Sequence, residues 1–149
     1  MKSQENQDSE NYFADLLKRM RRLGVASQIS DGSPVSPAQM ALIDWIASNP
    51  GCGVQDIANG LSLTPPAVSI SVRKMEGNGI VDRKPDPADA RSVQFSLTKQ
   101  GQIIYKRHKL RQKNIAKELL SGLSQSERDT LIELLDRALL SVENRLSKE

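Results

Sequence analysis

The sequence predicts a mainly helical chain with one small β-hairpin, and three observations predict it. Apolar residues recur at three- and four-residue spacing through most of the chain, the period of amphipathic helices. Two-residue alternation is clear at Ser92-Val93-Gln94-Phe95-Ser96-Leu97, the period of a half-buried strand. Between Val54 and Thr98 the order is short helix, tight turn, helix, hairpin. That is the order of a winged helix-turn-helix. The expected architecture is therefore mainly α with a β-hairpin wing. Residues 36–98 form the winged unit, 1–35 an N-terminal helix with its lead-in, and 99–149 a C-terminal helical segment.

At 149 residues the chain suits one domain with a real core. Aromatic residues make up 3% of the chain, so that core must be aliphatic, which fits helices better than a sandwich. No apolar run approaches the ~20 residues that span a bilayer, and the polar start Met1-Lys2-Ser3-Gln4-Glu5-Asn6 lacks a signal-peptide apolar region. Cys52 is the one cysteine, so an intrachain disulfide framework is excluded. These features point to a cytoplasmic protein without membrane contact.

Residues 1–10 are polar and read as a frayed lead-in. A rather short helix is expected from Asn11 to about Gln28, with Tyr12, Phe13, Leu16, Leu17, Met20 and Leu23 on its apolar face. Asp31-Gly32-Ser33-Pro34 is a turn cluster. Ser36-Pro37-Ala38-Gln39 starts the next helix: Ser36 caps, Pro37 takes the first position, and Gln39 closes a capping box. Asn49-Pro50-Gly51 ends it after Ser48.

The winged unit opens with the short helix Val54–Leu61 and breaks at Ser62-Leu63. Thr64 then caps a second helix that starts at Pro65-Pro66 and runs to about Asn78. Val68, Val72 and Met75 should face the core, leaving Pro66, Ala67, Ser69, Ile70, Arg73 and Lys74 outward. Gly79, a strand Ile80–Lys84, a polar tip Pro85–Arg91 and a strand Ser92–Leu97 complete the unit. A helix follows from Lys99 to Leu120 and is broken at Gly122. Ser124-Gln125-Ser126-Glu127 is a second capping box. It opens a last helix whose stripe Leu131, Leu134, Leu135, Ala138, Leu139, Val142 and Leu146 calls for a partner, the first helix or a second copy of the chain.

A recognition helix of this kind fits a major groove with its first turns near base edges. Thr64, Ser69 and Ser71 offer hydroxyls, Arg73 and Lys74 reach for backbone or guanine, and Arg91 sits on a projecting turn suited to a narrow minor groove. Asp89 is placed to hold that guanidinium. Charge qualifies the picture. Residues 54–98 carry five basic residues (Arg73, Lys74, Arg83, Lys84, Arg91) against five acidic ones (Asp56, Glu76, Asp82, Asp86, Asp89), so the unit is formally neutral. The positive excess lies in Lys99, Lys106, Arg107, Lys109, Arg111, Lys113 and Lys117, and in Lys18, Arg19, Arg21 and Arg22. Those clusters must contribute much of any phosphate attraction.

From Pro37 to Leu146 the chain resembles the MarR family of winged-helix transcription regulators. Asp89-Ala90-Arg91-Ser92 followed by Phe95-Ser96-Leu97-Thr98-Lys99-Gln100-Gly101 is similar to the family's wing signature. Val68-Ser69 through Met75-Glu76, with Gly79-Ile80-Val81, resembles its recognition helix and exit. Leu123-Ser124-Gln125-Ser126-Glu127 resembles the start of its last helix. The resemblance implies a homodimer built from the first and last two helices, on a pseudo-palindromic site in double-stranded DNA, acting as a repressor. It assigns Thr64, Pro66, Ala67, Ser69, Ile70, Arg73 and Lys74 to the reading face, Arg91 to the wing tip and Asp89 to its support. Ile70 departs from the basic residue that many members carry there, which allows apolar contact with a thymine methyl. The resemblance also implies release by a small aromatic effector, for which Tyr12, Trp45, Tyr105 and His108 are candidate lining residues. Each of those four also fits a structural role.

Two alternatives stay open: a winged-helix protein-interaction module without DNA binding, and redox sensing through Cys52 in the loop Gly51-Cys52-Gly53. With one His and one Cys no His/Cys metal set exists, and no Gly-rich phosphate loop occurs. Neither a catalytic centre nor a cofactor is expected.

Overall fold

The computed structural model describes residues 2–23, 25 and 35–146. Among them are six helices and one hairpin: α1 Lys2–Arg22, α2 Pro37–Ser48, α3 Val54–Leu61, α4 Pro65–Gly77, β1 Val81–Pro85, β2 Val93–Leu97, α5 Lys99–Leu120 and α6 Gln125–Leu146. They fall into two compact units, residues 1–109 and 110–149.

The first helix corrects the expected lead-in. It starts at Lys2 and is 21 residues long, not short. Residues 2–10 carry no apolar period, which hid them from pattern reading. Once a helix has nucleated, however, each added residue needs only adequate propensity, which Lys, Gln and Glu have. The expected end near Gln28 and the turn Asp31–Pro34 lie outside the described residues. On α1, Leu16 and Met20 are half-buried, whereas Tyr12, Phe13 and Leu17 are exposed.

The core of the first unit is aliphatic and lies among α2, α3, α4, the hairpin and the start of α5. Leu42, Ile43, Ile46, Ile57, Val68, Val72, Met75, Ile80 and Val81 are fully buried, with Phe95 and Ile104 closing the cluster. The expected caps form. At α2, Ser36 Oγ accepts from Gln39 N–H at 3.2 Å while Gln39 Oε1 accepts from Ser36 N–H at 2.9 Å. The break between α3 and α4 is made by Ser62 in the left-handed region at φ 53°. Leu63 N–H donates to Ala58 O at 2.9 Å, so the last turn of α3 keeps its carbonyls satisfied.

The hairpin pairs Val81 with Leu97 through Pro85 with Val93, antiparallel. Each strand starts one residue later than expected: Ile80 closes the exit of α4, its N–H donating to Met75 O at 2.9 Å, and Ser92 belongs to the wing-tip turn, its N–H donating to Asp89 O at 2.9 Å. Gly79 at φ 70° makes that closure possible, a backbone angle that side chains disfavour. A third strand position comes from the loop before α3. Phe95 N–H donates to Cys52 O at 2.8 Å and Gly51 N–H to Phe95 O at 2.9 Å.

Thr98 ties the hairpin to α5. Its hydroxyl donates to Gly79 O at 2.6 Å, with Ile80 O also in reach at 3.2 Å, and accepts from Gly101 N–H at 3.0 Å. At Gly101 a Cβ would strike the Ile80 carbonyl oxygen, which explains the spacing Thr98-x-x-Gly101. The buried face of α5 in this unit is Gly101, Ile104 and His108, while Ile103 and Leu110 are exposed rather than sharing Ile104's burial.

In the second unit α6 starts at the expected box: Ser124 N–H donates to Glu127 Oε2 at 2.7 Å. Its apolar stripe is uncovered, with Leu131, Leu134, Leu135, Leu139, Val142 and Leu146 between 38 and 67% exposed.

Candidate nucleic-acid interface

The face of α4 that the core fixes decides the face it presents. Val68, Val72 and Met75 are fully buried, as their spacing predicts. Thr64, Pro66, Ala67, Ile70, Arg73 and Lys74 are exposed. Ser69 departs from this outward group. It is half-buried and lines a cleft of about 80 Å³ with Val72, Arg73, Glu76, Arg83, Val93 and Phe95, between α4 and the hairpin. Ser71 is half-buried too. Thr64 Oγ1 accepts from Ala67 N–H at 3.4 Å, capping the helix with its hydroxyl hydrogen left available.

The wing tip is built from two consecutive aspartate turns. Asp86 Oδ1 accepts from Ala88 N–H at 2.8 Å, and Asp89 Oδ1 accepts from Arg91 N–H at 3.0 Å. Asp89 Oδ2 accepts from the Ser92 hydroxyl at 3.1 Å. The expected role of Asp89 therefore needs correcting. It orders the backbone that carries Arg91 and makes no ion pair with the guanidinium among the described residues. A carboxylate two residues before a backbone N–H closes such a turn readily. The Arg91 side chain is exposed, held at its root and unpaired with Asp89 at its tip.

Residues 35–93 match the family model of the MarR family. The HTH-type transcriptional regulator YkoM of Bacillus subtilis is 36% identical over 107 residues, covering 69% of this chain and 67% of that protein. The chain belongs to the MarR family. Among solved structures, FabT of Streptococcus pneumoniae in complex with DNA matches with a TM-score of 0.80 at 24% identity, over 93% of this chain and 98% of that one. The PcaV regulator of Streptomyces coelicolor in complex with its natural ligand matches with a TM-score of 0.62 at 20% identity, over 89% and 92%. Both show the same winged-helix fold.

In this MarR-family chain the four effector candidates have different surroundings. Tyr12 is 69% exposed on α1. Trp45 is half-buried on α2 and its ring lies where a Cβ on Gly60 would stand. Trp45 also lines an open groove with Asn49, Pro50, Gly51, Cys52, Asp56 and Asn59. Tyr105 and His108 lie one turn apart on α5. Tyr105 packs on the core under the Lys109 ammonium, 5.6 Å from its ring centroid. His108 is 7% exposed and turns inward, its Nε2 3.9 Å from Asp44 Oδ2.

Asp44 is the residue that sequence reading missed. Burial pushes its carboxyl above the ordinary value, opposed by the lesser pull of His108 and Lys109. Asp44 Oδ1, Trp45 Nε1 and His108 Nε2 are each buried without a hydrogen-bond partner, an uncommon state for buried polar atoms. The available signal was a lone carboxylate inside the apolar run Met40-Ala41-Leu42-Ile43-Asp44-Trp45-Ile46.

Cys52 is not the exposed loop thiol that a redox sensor requires. It is buried against the core, and burial, with Asp56 nearby, pushes its thiol up. Thiolate reactivity needs the opposite shift and access.

Proposed function

We propose that this DNA-binding regulator acts as a homodimeric repressor on a pseudo-palindromic operator, laying α4 in the major groove and the wing tip in a flanking minor groove. The observation that carries this reading is the orientation of α4. Its apolar side is locked into the core while Thr64, Pro66, Ala67, Ile70, Arg73 and Lys74 stand outward, beside a wing whose aspartate turns present Arg91. Two copies bring two such faces at a fixed spacing, which matches the two-fold symmetry of a palindromic site. The uncovered stripe of α6 and the exposed Tyr12, Phe13 and Leu17 of α1 support pairing with a second chain. Basic residues on α5 and at the end of α1 supply the field that the formally neutral stretch 54–98 lacks. A cytoplasmic regulator without catalytic activity fits these features.

Release by a small aromatic effector completes the reading. It is supported by the orphaned polar atoms of Asp44, Trp45 and His108, which a bound acid or phenol could satisfy.

Fluorescence anisotropy on duplexes from the chain's own upstream DNA tests the proposal. Binding is expected to weaken steeply with salt. Arg91→Ala is expected to lower affinity about tenfold, within the ~1–3 kcal/mol of a base-pair contact, with an unchanged melting temperature. Unaltered affinity removes Arg91 from the interface, and absence of binding even at low salt favours a protein-interaction module.

A further inference from the structure

Ile70 is 72% exposed, more than any other large apolar side chain among the described residues. It lies in the middle of α4, where a β-branched side chain adds nothing to helix stability over Leu or Met. Its neighbours on that face are Pro66 and Ala67 one turn earlier and Arg73 and Lys74 one turn later. Between the Thr64 hydroxyl at the cap and Arg73, the outward residues Pro66, Ala67 and Ile70 are therefore apolar. Pro66 and Ala67 carry no hydrogen-bonding side-chain group, and Ser69 and Ser71 are half-buried. A helix entering the major groove places those turns at base edges. Pro66, Ala67 and Ile70 can discriminate bases only by apolar contact. In that groove one unmodified base presents an apolar group, thymine, through its 5-methyl. The same group appears on 5-methylcytosine.

We propose that Ile70, with Ala67 beside it, reads the 5-methyl of a thymine in each half-site, so that base recognition by this part of α4 runs through methyl contact. Arg73 and Lys74 follow at the basic end of the same face and fix the register through phosphate or guanine. The inference rests on the reading above, in which α4 occupies the major groove.

The full-length protein first selects duplexes from a random library. Anisotropy titrations then compare a selected duplex with copies carrying deoxyuridine for one thymine at a time, which removes the methyl and leaves every hydrogen-bonding group. At one thymine per half-site, affinity is expected to fall about fourfold, the worth of one buried methyl. Ile70→Ala is expected to bind the thymine duplex more weakly and to ignore deoxyuridine at that position. Ile70→Val, which keeps the branched methyls, retains the sensitivity. If the selected position is cytosine, tighter binding on 5-methylation supports methyl reading and reassigns its source. Equal affinity across all deoxyuridine and 5-methylcytosine duplexes overturns the inference while leaving DNA binding intact. So does an Ile70→Ala loss that is the same on thymine and deoxyuridine. A library that yields no enriched duplex overturns the DNA-binding reading and this inference with it.

Discussion

Gly60 and Gly101 both allow close approach, but against different obstacles. At Gly60 a Cβ would meet the rim of the Trp45 ring, and at Gly101 it would meet the Ile80 backbone carbonyl. A ring can turn; a carbonyl in the α4–β1 corner cannot move without the hairpin. Gly101→Ala is therefore expected to destabilise by about 1–3 kcal/mol net of its gain in helix propensity, seen as a lower denaturation midpoint in urea. Asp44 gives a pH-dependent counterpart. Its raised carboxyl binds a proton more readily folded than unfolded, so stability falls as pH rises from the ordinary carboxylate value through the raised one. Asp44→Asn should then melt above the wild type at pH 7. That advantage should shrink as pH drops below the ordinary value. An advantage independent of pH would show that burial of the carboxylate is not its source.

Caps and corners, more than apolar periods, decide where these elements begin. Thr98 serves two elements with one hydroxyl, accepting from the first turn of α5 and donating into the exit of α4. Thr98→Val keeps the shape and removes both bonds. A loss of about 1–2 kcal/mol is expected, with Thr98→Ser recovering most of it and the urea m-value unchanged. The box at α6 behaves differently with pH. The Ser124 N–H and hydroxyl hold Glu127 below its ordinary value, so its contribution is present above that value and lost as pH falls through the lowered one. The box at α6 was legible in the sequence, because a hydroxyl three residues before its carboxylate is a local pattern, whereas Thr98 was read only as the end of the wing. The first turns of α1 were not legible, because they follow from helix propagation.

At the scale of the whole chain two features remain unbalanced. Residues 54–98 are formally neutral while α5 is strongly basic, and α6 exposes a row of leucines. Pairing with a second copy would cover the row and join two sets of basic helices. Leu139→Asp, at a position 61% exposed in the single chain, is expected to yield a monomer by light scattering with its helical circular dichroism retained. Its DNA affinity should drop by far more than loss of one contact, because two half-sites then bind independently. A dimer that survives both Leu139→Asp and Leu135→Asp would place the pairing surface elsewhere.

The sequence by itself determined the described helices other than the first turns of α1, the caps that start α2, α4 and α6, which side of α4 is buried, and that the one alternating stretch is a strand. These depend on neighbours within a few residues, and period and capping record them directly. Tertiary structure alone decided what distant residues meet. It turned His108 inward onto Asp44, buried Cys52 in a backbone bridge with Phe95, drew Ser69 toward the hairpin and set Asp89 on the backbone of Arg91 instead of its guanidinium. Each outcome depends on the placement of another element, which no local spacing encodes. The outward face of α4 was thus predicted with Ser69 among its members, and folding drew that hydroxyl half out of it, leaving Pro66, Ala67 and Ile70 between Thr64 and Arg73.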